Sequence, residues 1–404
     1  MADIENAFIT LPAGFKANGV SAGLKDNGAL DLGLVVSDLP CTVSGVYTSN
    51  LVKGHSLVRT INLINTGKKV RGIVVNTRVA NAGVGKDGVS DADKIASAVA
   101  ESLGVSSEEI LTGSTGTIGV RLPVDKITAA VPGLVEGLST QEQAAHNAAL
   151  AIMTTDTVPK EAGATITMSD GREVSIAAIA KGSGMIHPNL ATMISVFTTD
   201  ADIDGKLLDG ILHRAVSHTF NRVSVDGDTS VCDMVIVLAN GKSGVTVEDG
   251  SEDAKLFEEA MTKISEDIAR MIASDGEGAT KFIEVEVFGA SNDKDALNIV
   301  TAVARSPLVK TAIFGEDANI GRILTAVGYS GAKFDPEKID ITVNGMLFFR
   351  DGVCVPFDED EAAKLLAEHD IHIVIKLSEG EAYDRMFTCD FSYDYVKING
   401  SYRT

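Results

Sequence analysis

Tryptophan is missing from this 404-residue chain, and aromatic residues together make up only 5% of it. Platforms for stacking single-stranded nucleic acid are built from such side chains, so their scarcity argues against that partner. Basic patches are missing too. The chain carries 35 Lys and Arg against 56 Asp and Glu, a formal net charge of −21, which would repel a phosphate backbone or an anionic bilayer. Its most basic run, Lys68-Lys69-Val70-Arg71, reads as the solvated lead-in to a strand. The four cysteines, Cys41, Cys232, Cys354 and Cys389, lie far apart and form no CxxC, so reduced and mostly buried thiols are expected. No apolar run approaches the length of a membrane span. The opening Met-Ala-Asp-Ile-Glu-Asn lacks the basic-then-apolar pattern of a signal peptide. A cytoplasmic α/β protein without nucleic-acid or membrane partners is expected.

What is abundant is glycine, at 39 residues, and apolar side chains, at 45%. Length allows two domains. Gly72 to Asn76, Glu173 to Ala180, Met193 to Thr199 and Asp233 to Ala239 read as strands. Leu207 to Thr219 places Leu208, Ile211, Leu212, Ala215 and Val216 on one helical face. Asp253 to Ser274 repeats the pattern with Phe257, Met261, Ile264, Ile268 and Met271. Helices are further expected over Asp91 to Leu103, Ser291 to Ser306 and Asn319 to Val327. Ser106 to Glu109 and Ser139 to Glu142 both fit capping boxes, the second opening a helix that runs to about Met153. Phe282 to Phe288 alternates as a half-exposed strand should. Beyond Ile339 lie short strands and a helix at Glu361 to His369, whose solvated start is the acidic run Asp358 to Glu361. A boundary near Gly289 divides a main α/β domain, 1–289, from a smaller C-terminal α+β domain, 290–404.

Lys181 to Met193 does not read as an ordinary connection between strands. It contains glycines, a proline and an asparagine, then Ala191-Thr192 leading directly into an apolar strand. Attack of the Thr192 hydroxyl on the Ala191 carbonyl would convert the peptide into an ester, and water would release Thr192 with a free α-amine. That amine, with an ordinary pKa of ~7.7–8, can act as general base for the neighbouring hydroxyl. The β-branch restricts χ1 and helps aim the Oγ. On composition alone, a plain Gly-Pro loop explains the segment as well.

The run KGSGMIHPNLATMISVFTTDADI, from Lys181 to Ile203, closely resembles the self-cleaving centre of the ornithine acetyltransferases, the ArgJ family of glutamate N-acetyltransferases. The resemblance spans nearly the whole chain. It includes GFKANGVSAGLK at Gly14 to Lys25, STGTIGVRLP at Ser114 to Pro123 and MTTDTVPK at Met153 to Lys160. It continues through FNRVSVDGDTSVCD at Phe220 to Asp233, DGEGATKFIEV at Asp275 to Val285, FGEDANIGRI at Phe314 to Ile323 and VKINGSYRT at Val396 to Thr404. The resemblance implies the self-cleaving N-terminal-threonine acyltransferase fold, an α/β architecture cut between Ala191 and Thr192. It further implies an α chain and a β chain assembled as a dimer of heterodimers. It implies a ping-pong transfer of acetyl from N2-acetyl-L-ornithine to L-glutamate on Thr192, in arginine biosynthesis, without a cofactor. Some members also take acetyl-CoA as donor, and whether this chain does stays open.

Matching residue by residue, Thr115 and Gly116 fall on the family's oxyanion pair. Substrate contacts fall on Lys181, Thr192, Glu277, Asn399, Thr404 and one of Thr154 and Thr155, between which the residues do not choose. A hydroxyl and an N–H on one side of a Thr-Gly turn suit an oxyanion; without the resemblance the same residues are simply a turn. Lys181 suits a carboxylate, and Glu277 an ammonium. The family's NSGNANA-type stretch here reads Asn76-Thr-Arg-Val-Ala-Asn-Ala-Gly83, which bears on the choice of acceptor. A hydrolytic amidase or aminopeptidase, or a paralogous transferase with another acceptor, could use the same nucleophile.

Other signals are weaker. Gly83 to Gly88 satisfies GxGxxG without a clear βαβ context. His187 reads as a bystander near the cut. His213 and His218 are five apart and share no helical face, and Asp226 with Asp228 lacks EF-hand spacing. No metal is expected.

Overall fold

The computed structural model describes residues 2–3, 7–187 and 193–401. The chain divides into Met1–Asn221 with Asp228–Ile268, and Arg222–Gly227 with Ala269–Thr404. Each unit has its own sheet, so the molecule is mixed α/β as expected.

In the first unit the strands are β1 (Ala2–Asp3), β2 (Phe15–Val20), β3 (Leu32–Tyr47), β4 (Val70–Asn76), β5 (Ile110–Ser114), β6 (Lys160–Thr167), β7 (Glu173–Lys181), β8 (Ile194–Thr199), β9 (Asp202–Ile203), β10 (Met234–Ala239) and β11 (Thr246–Val247). The main sheet runs β1-β6-β7-β8-β10-β3-β4-β5, with β2 also on β3. The β8/β10 and β4/β5 pairs are parallel. The helices are α1 (His55–Ile64), α2 (Asp87–Leu103), α3 (Val124–Glu136), α4 (Glu142–Ile152) and α5 (Gly205–His218); α6 (Glu252–Ser274) runs across the division.

Strand β3 shows why the apolar runs are continuous rather than alternating. Leu32, Leu34 and Val36 pack with Ile95 and Val99 of α2 and Ile127 and Val131 of α3. The intervening Val35 packs on the other face with Ala145, Ala148 and Ile152 of α4. A sheet covered on both faces buries successive residues. Helix α4 is rich in alanine because it lies unusually close: a Cβ on Gly19 of β2 would come 2.0 Å from the Asn147 carbonyl oxygen.

The capping box at Ser106 forms as the motif implied, around a short 3₁₀ turn. The one expected at Ser139 does not. Helix α4 starts at Glu142 after Gln141, with no side-chain cap. The Ser139 backbone is instead exchanged with Ala17 of β2 at 3.0 and 3.2 Å, so the chain stays extended there and the helix begins later.

The second unit contains β12 (Phe282–Ala290), β13 (Asp340–Val343), β14 (Met346–Arg350), β15 (Val353–Cys354), β16 (Asp370–Lys376) and β17 (Ala382–Cys389), ordered β15-β14-β13-β16-β12-β17. Its helices are α7 (Asp293–Arg305), α8 (Pro307–Phe314), α9 (Gly321–Gly328), α10 (Glu359–Leu366) and α11 (Tyr393–Gly400). Alternate residues Ile283, Val285 and Val287 of β12 enter a core with Ile299 and Val303 of α7 and with Ile373 and Ile375 of β16. The sequence boundary near Gly289 falls inside this strand. Gly289 takes φ +78 where the register with β17 shifts, so it is a bulge rather than a linker. Asp358 caps α10 by accepting from the Asp360 and Glu361 amides, the role its acidic run suggested.

Among the described residues no single helix is long and apolar enough to cross a membrane. All four cysteines are free, and Cys354 is exposed while the others are buried.

Candidate active site

In the first unit, β5 ends at Ser114 and the chain turns at Thr115-Gly116 alongside the segment that follows β4. Thr115 N–H donates to the Asn76 carbonyl, Thr117 N–H to that of Arg78, and Ala80 N–H to that of Thr117, each at 3.0 Å. Gly116 has φ +129, and a Cβ there would lie 2.3 Å from the Arg78 carbonyl carbon. Only glycine fits, which leaves the turn's backbone free of side-chain cover. Behind it, Ser114 Oγ donates to Asn76 Oδ1 at 2.6 Å, and Ser56 Oγ lies 2.7 Å from Ser114 Oγ. Asn81 donates to Ser56 Oγ at 3.0 Å and to the Gly88 carbonyl at 2.9 Å. The GxGxxG run therefore ends as the entry to α2, held by this network. Arg78 stands where the family's NSGNANA stretch has glycine, and its backbone adopts φ +72, a conformation that favours glycine.

Lys181 lies at the end of β7 and is 2% exposed. It is grouped with Thr154 through a residue that motif reading passed over, Asp156. One Asp156 oxygen accepts from the Thr154 N–H at 2.9 Å; the other accepts from Lys160 Nζ at 2.8 Å and Gly182 N–H at 2.6 Å. Burial alone would push this carboxyl up, but the Lys181 and Lys160 charges and these bonds hold it at about 2. Lys25 belongs to the same group: burial lowers its ammonium, and it senses Asp31, Asp156 and Lys181. Thr155 is half-buried beside them. The pattern Asp156-x-x-x-Lys160 was visible in the sequence, but nothing there showed that both are buried.

Electrostatic influence and hydrogen bonds relate Lys181 to the Thr115 turn. Cys232, whose thiol burial pushes up, senses the charge of Lys181. Its Sγ donates to the Ala80 carbonyl at 3.4 Å, and Ala80 is bonded to Thr117. Beside Cys232 is Asp233, fully buried.

In the second unit, Glu277 is 6% exposed in the turn after α6. Asn399 of α11 donates to its Oε2 at 2.7 Å, which orients the carboxylate. The turn is pinned by Asp390, which accepts from the amides of Thr280 and Lys281 at 2.8 and 2.9 Å. Gly278 takes φ +70 against the start of α11. Helix α11, which carries Asn399, had no periodic signal in the sequence. Ala191, Thr192 and Thr404 lie outside the described residues. His213 Nδ1 approaches the Asp209 carbonyl at 2.9 Å on its own helix, a local contact. Among the described residues no group of three metal-ligating side chains forms.

The ArgJ family model matches residues 16–404. The chain belongs to that family. An arginine biosynthesis bifunctional protein ArgJ from Symbiobacterium thermophilum is 47% identical over 399 residues, 98% of each chain. One from Caldanaerobacter subterraneus subsp. tengcongensis is 43% identical over 407 residues, covering all of both. Among solved structures, the ornithine acetyltransferase of Mycobacterium tuberculosis complexed with ornithine is similar at 38% identity. That match covers 47% of this chain and 99% of that one, with a TM-score of 0.43. ArgJ membership makes the departure at Arg78 and Val79 a local variation on a full-length match.

Proposed function

We propose that the chain is an autoprocessed acetyltransferase of arginine biosynthesis, moving acetyl from N2-acetyl-L-ornithine to L-glutamate through an ester on Thr192. The observation that carries this reading is the pairing of a family match running through Ala191-Thr192 with a buried Lys181 at the head of the same segment. Thr192 Oγ attacks the Ala191 carbonyl, the C–N bond breaks as its nitrogen takes the proton, and water hydrolyses the ester. The new α-amine then takes the Thr192 hydroxyl proton as Oγ attacks the acetyl carbonyl of the donor. Thr115 and the Gly116 N–H stabilise the oxyanion. The proton passes to the departing N2 nitrogen, ornithine leaves, and the α-amine of glutamate attacks the acetyl ester in the reverse sequence.

Lys181 and Thr154 or Thr155 bind substrate in this scheme, with Glu277, steadied by Asn399, receiving the ornithine ammonium and Thr404 completing the contacts. The mature form is a cytoplasmic dimer of α/β heterodimers, built from 1–191 and 192–404.

Mass spectrometry of the purified protein tests the reading. Two chains are expected, the second beginning at Thr192, and acetyl transfer to glutamate should exceed hydrolysis of N2-acetyl-L-ornithine. Thr192→Ala should leave one continuous chain without transferase activity. A variant that still matured into two chains would remove Thr192 from the role.

A further inference from the structure

Val20 ends β2 and Leu32 begins β3, and the loop between them is closely tied. The buried Asp31 side chain accepts from the Ala22 N–H at 2.6 Å through one oxygen. Through the other it accepts from the Leu24 and Lys25 N–H groups at 2.6 and 2.9 Å. The Lys25 ammonium reaches across the loop to the Leu30 carbonyl at 2.7 Å. Both Asp31 oxygens are thereby committed to backbone amides, and Lys25 is held half-buried.

Two sets of contacts place this loop between Thr115 and the Thr154–Asp156 segment. On one side, Leu32, Asn76 and Ser114 stand opposite one another across β3, β4 and β5. The loop therefore leaves the sheet at the end where Thr115 follows Ser114. The Asp31 carbonyl accepts from the Thr77 N–H at 2.9 Å, next to Asn76, whose carbonyl accepts from Thr115. On the other side, the strands that carry the loop lie against the last turn of α4. A Cβ on Gly19 would come 2.9 Å from the Ala151 Cβ, and one on Gly33 would come 3.3 Å from the Ile152 Cγ2. Helix α4 ends at Ile152, and the chain passes at once to Thr154, Thr155 and Asp156.

The charges gathered here are unequal. Lys25, Lys160 and Lys181 bring three ammonium groups to the two carboxylates of Asp31 and Asp156. Asp156 already bonds Thr154, Lys160 and Gly182. Asp233, another acid that senses Lys181, is held toward its neutral form by burial. Burial lowers the Lys25 ammonium, and the like charge of Lys181 adds to that against Asp31 and Asp156. A small anion between Lys25 and Lys181 offsets both the burial and the repulsion.

We propose that Lys25 is a substrate-binding residue, its ammonium pairing with the α-carboxylate that N2-acetyl-L-ornithine and L-glutamate have in common. This rests on the reading of the chain as an acetyltransferase for those two amino acids. In a ping-pong cycle each occupies the site in turn, and the α-carboxylate is the anionic group that both present there.

The test is Lys25→Met in the full chain, with inhibition of the transferase by ornithine and by putrescine, the same diamine without its carboxyl group. The inhibition constant for ornithine should rise by roughly 10-fold to 100-fold, the range for a charge-assisted hydrogen bond, and that for putrescine should stay where it is. The KM for L-glutamate should rise with it, while kcat changes far less. If Lys25→Met does not fold, Lys25→Gln, which keeps a donor for the Leu30 carbonyl, takes the same test. An equal loss for ornithine and putrescine would overturn the proposal by making Lys25 a support of the loop alone. So would an unchanged constant for ornithine, or an unmoved KM for L-glutamate. If the wild type transfers no acetyl from N2-acetyl-L-ornithine, the parent reading falls instead, and that assay is run first.

Discussion

Asp156 and Asp233 are two buried aspartates in one unit, both within the electrostatic influence of Lys181, and they end in opposite states. Asp156 accepts from two backbone amides and Lys160, and its carboxyl is held at about 2. Asp233 is fully buried, and burial drives its carboxyl upward against Lys181, the Met193 N–H and Ser230. Burial is therefore a poor guide to charge; the donors arranged around a carboxylate decide it. Around Asp156 the donors outweigh burial, whereas around Asp233 burial outweighs the donors.

The sharpest way to break that comparison is to remove the completed member. Asp156→Asn in the Thr192→Ala background should lower the unfolding free energy by about 3–5 kcal/mol, because Lys160 and Lys181 lose their counter-charge inside the protein. Denaturant titration reads this directly, and a loss no larger than that for Asp233→Asn would erase the contrast. The two acids should also respond to pH with opposite sign. Asp156 has a folded pKa below its unfolded value of ~3.9, so its contribution is full above that value and lost as pH falls through about 2. Asp233, raised in the uncut fold, should lower stability as pH rises above ~4, since the unfolded chain gives up that proton first.

Next in size, Thr115→Ala should reduce turnover by ~10²-fold or more, about 3 kcal/mol, with little change in melting temperature. Steady-state kinetics beside a thermal melt would separate a chemical role from the structural one of Asp156. An unchanged kcat would take Thr115 out of the oxyanion site. The smallest effect is expected at Arg78→Gly, which relieves a left-handed residue and should stabilise the fold by about 1 kcal/mol. A loss of stability there would mean that the Arg78 side chain, half-exposed near Asp26 at 3.8 Å, contributes more than the backbone strain removes.

Much of the architecture was legible in particular residues. Helices α5 and α6 and strand β12 are amphipathic, so their period is written in the order of apolar and polar residues. Helices α1, α3 and α11 escaped: α3 contains Pro132, and α11 has no buried residue. Strand β3, covered on both faces, lost the alternation that would have marked it. The candidate residues Thr115, Gly116, Lys181, Glu277 and Asn399 were assigned through resemblance, because a turn, a strand end and a short helix have no distinguishing pattern of their own. Asp156 and Asp233 were missed for a different reason. An aspartate near a strand end looks solvated until the fold shows what surrounds it.

The proposed cut between Ala191 and Thr192 would have a mechanical consequence for the sheet. Strands β7 and β8 are antiparallel neighbours, paired from Ile176 with Thr199 to Lys181 with Ile194. A fragment beginning at Thr192 would contribute β8 and β10, which lie in the sheet between β7 and β3 of the preceding residues. Severing the connection would thus free two ends without freeing two molecules. The pieces would interlock like the teeth of a zip fastened from both margins, and parting them would mean unfolding the middle of the sheet.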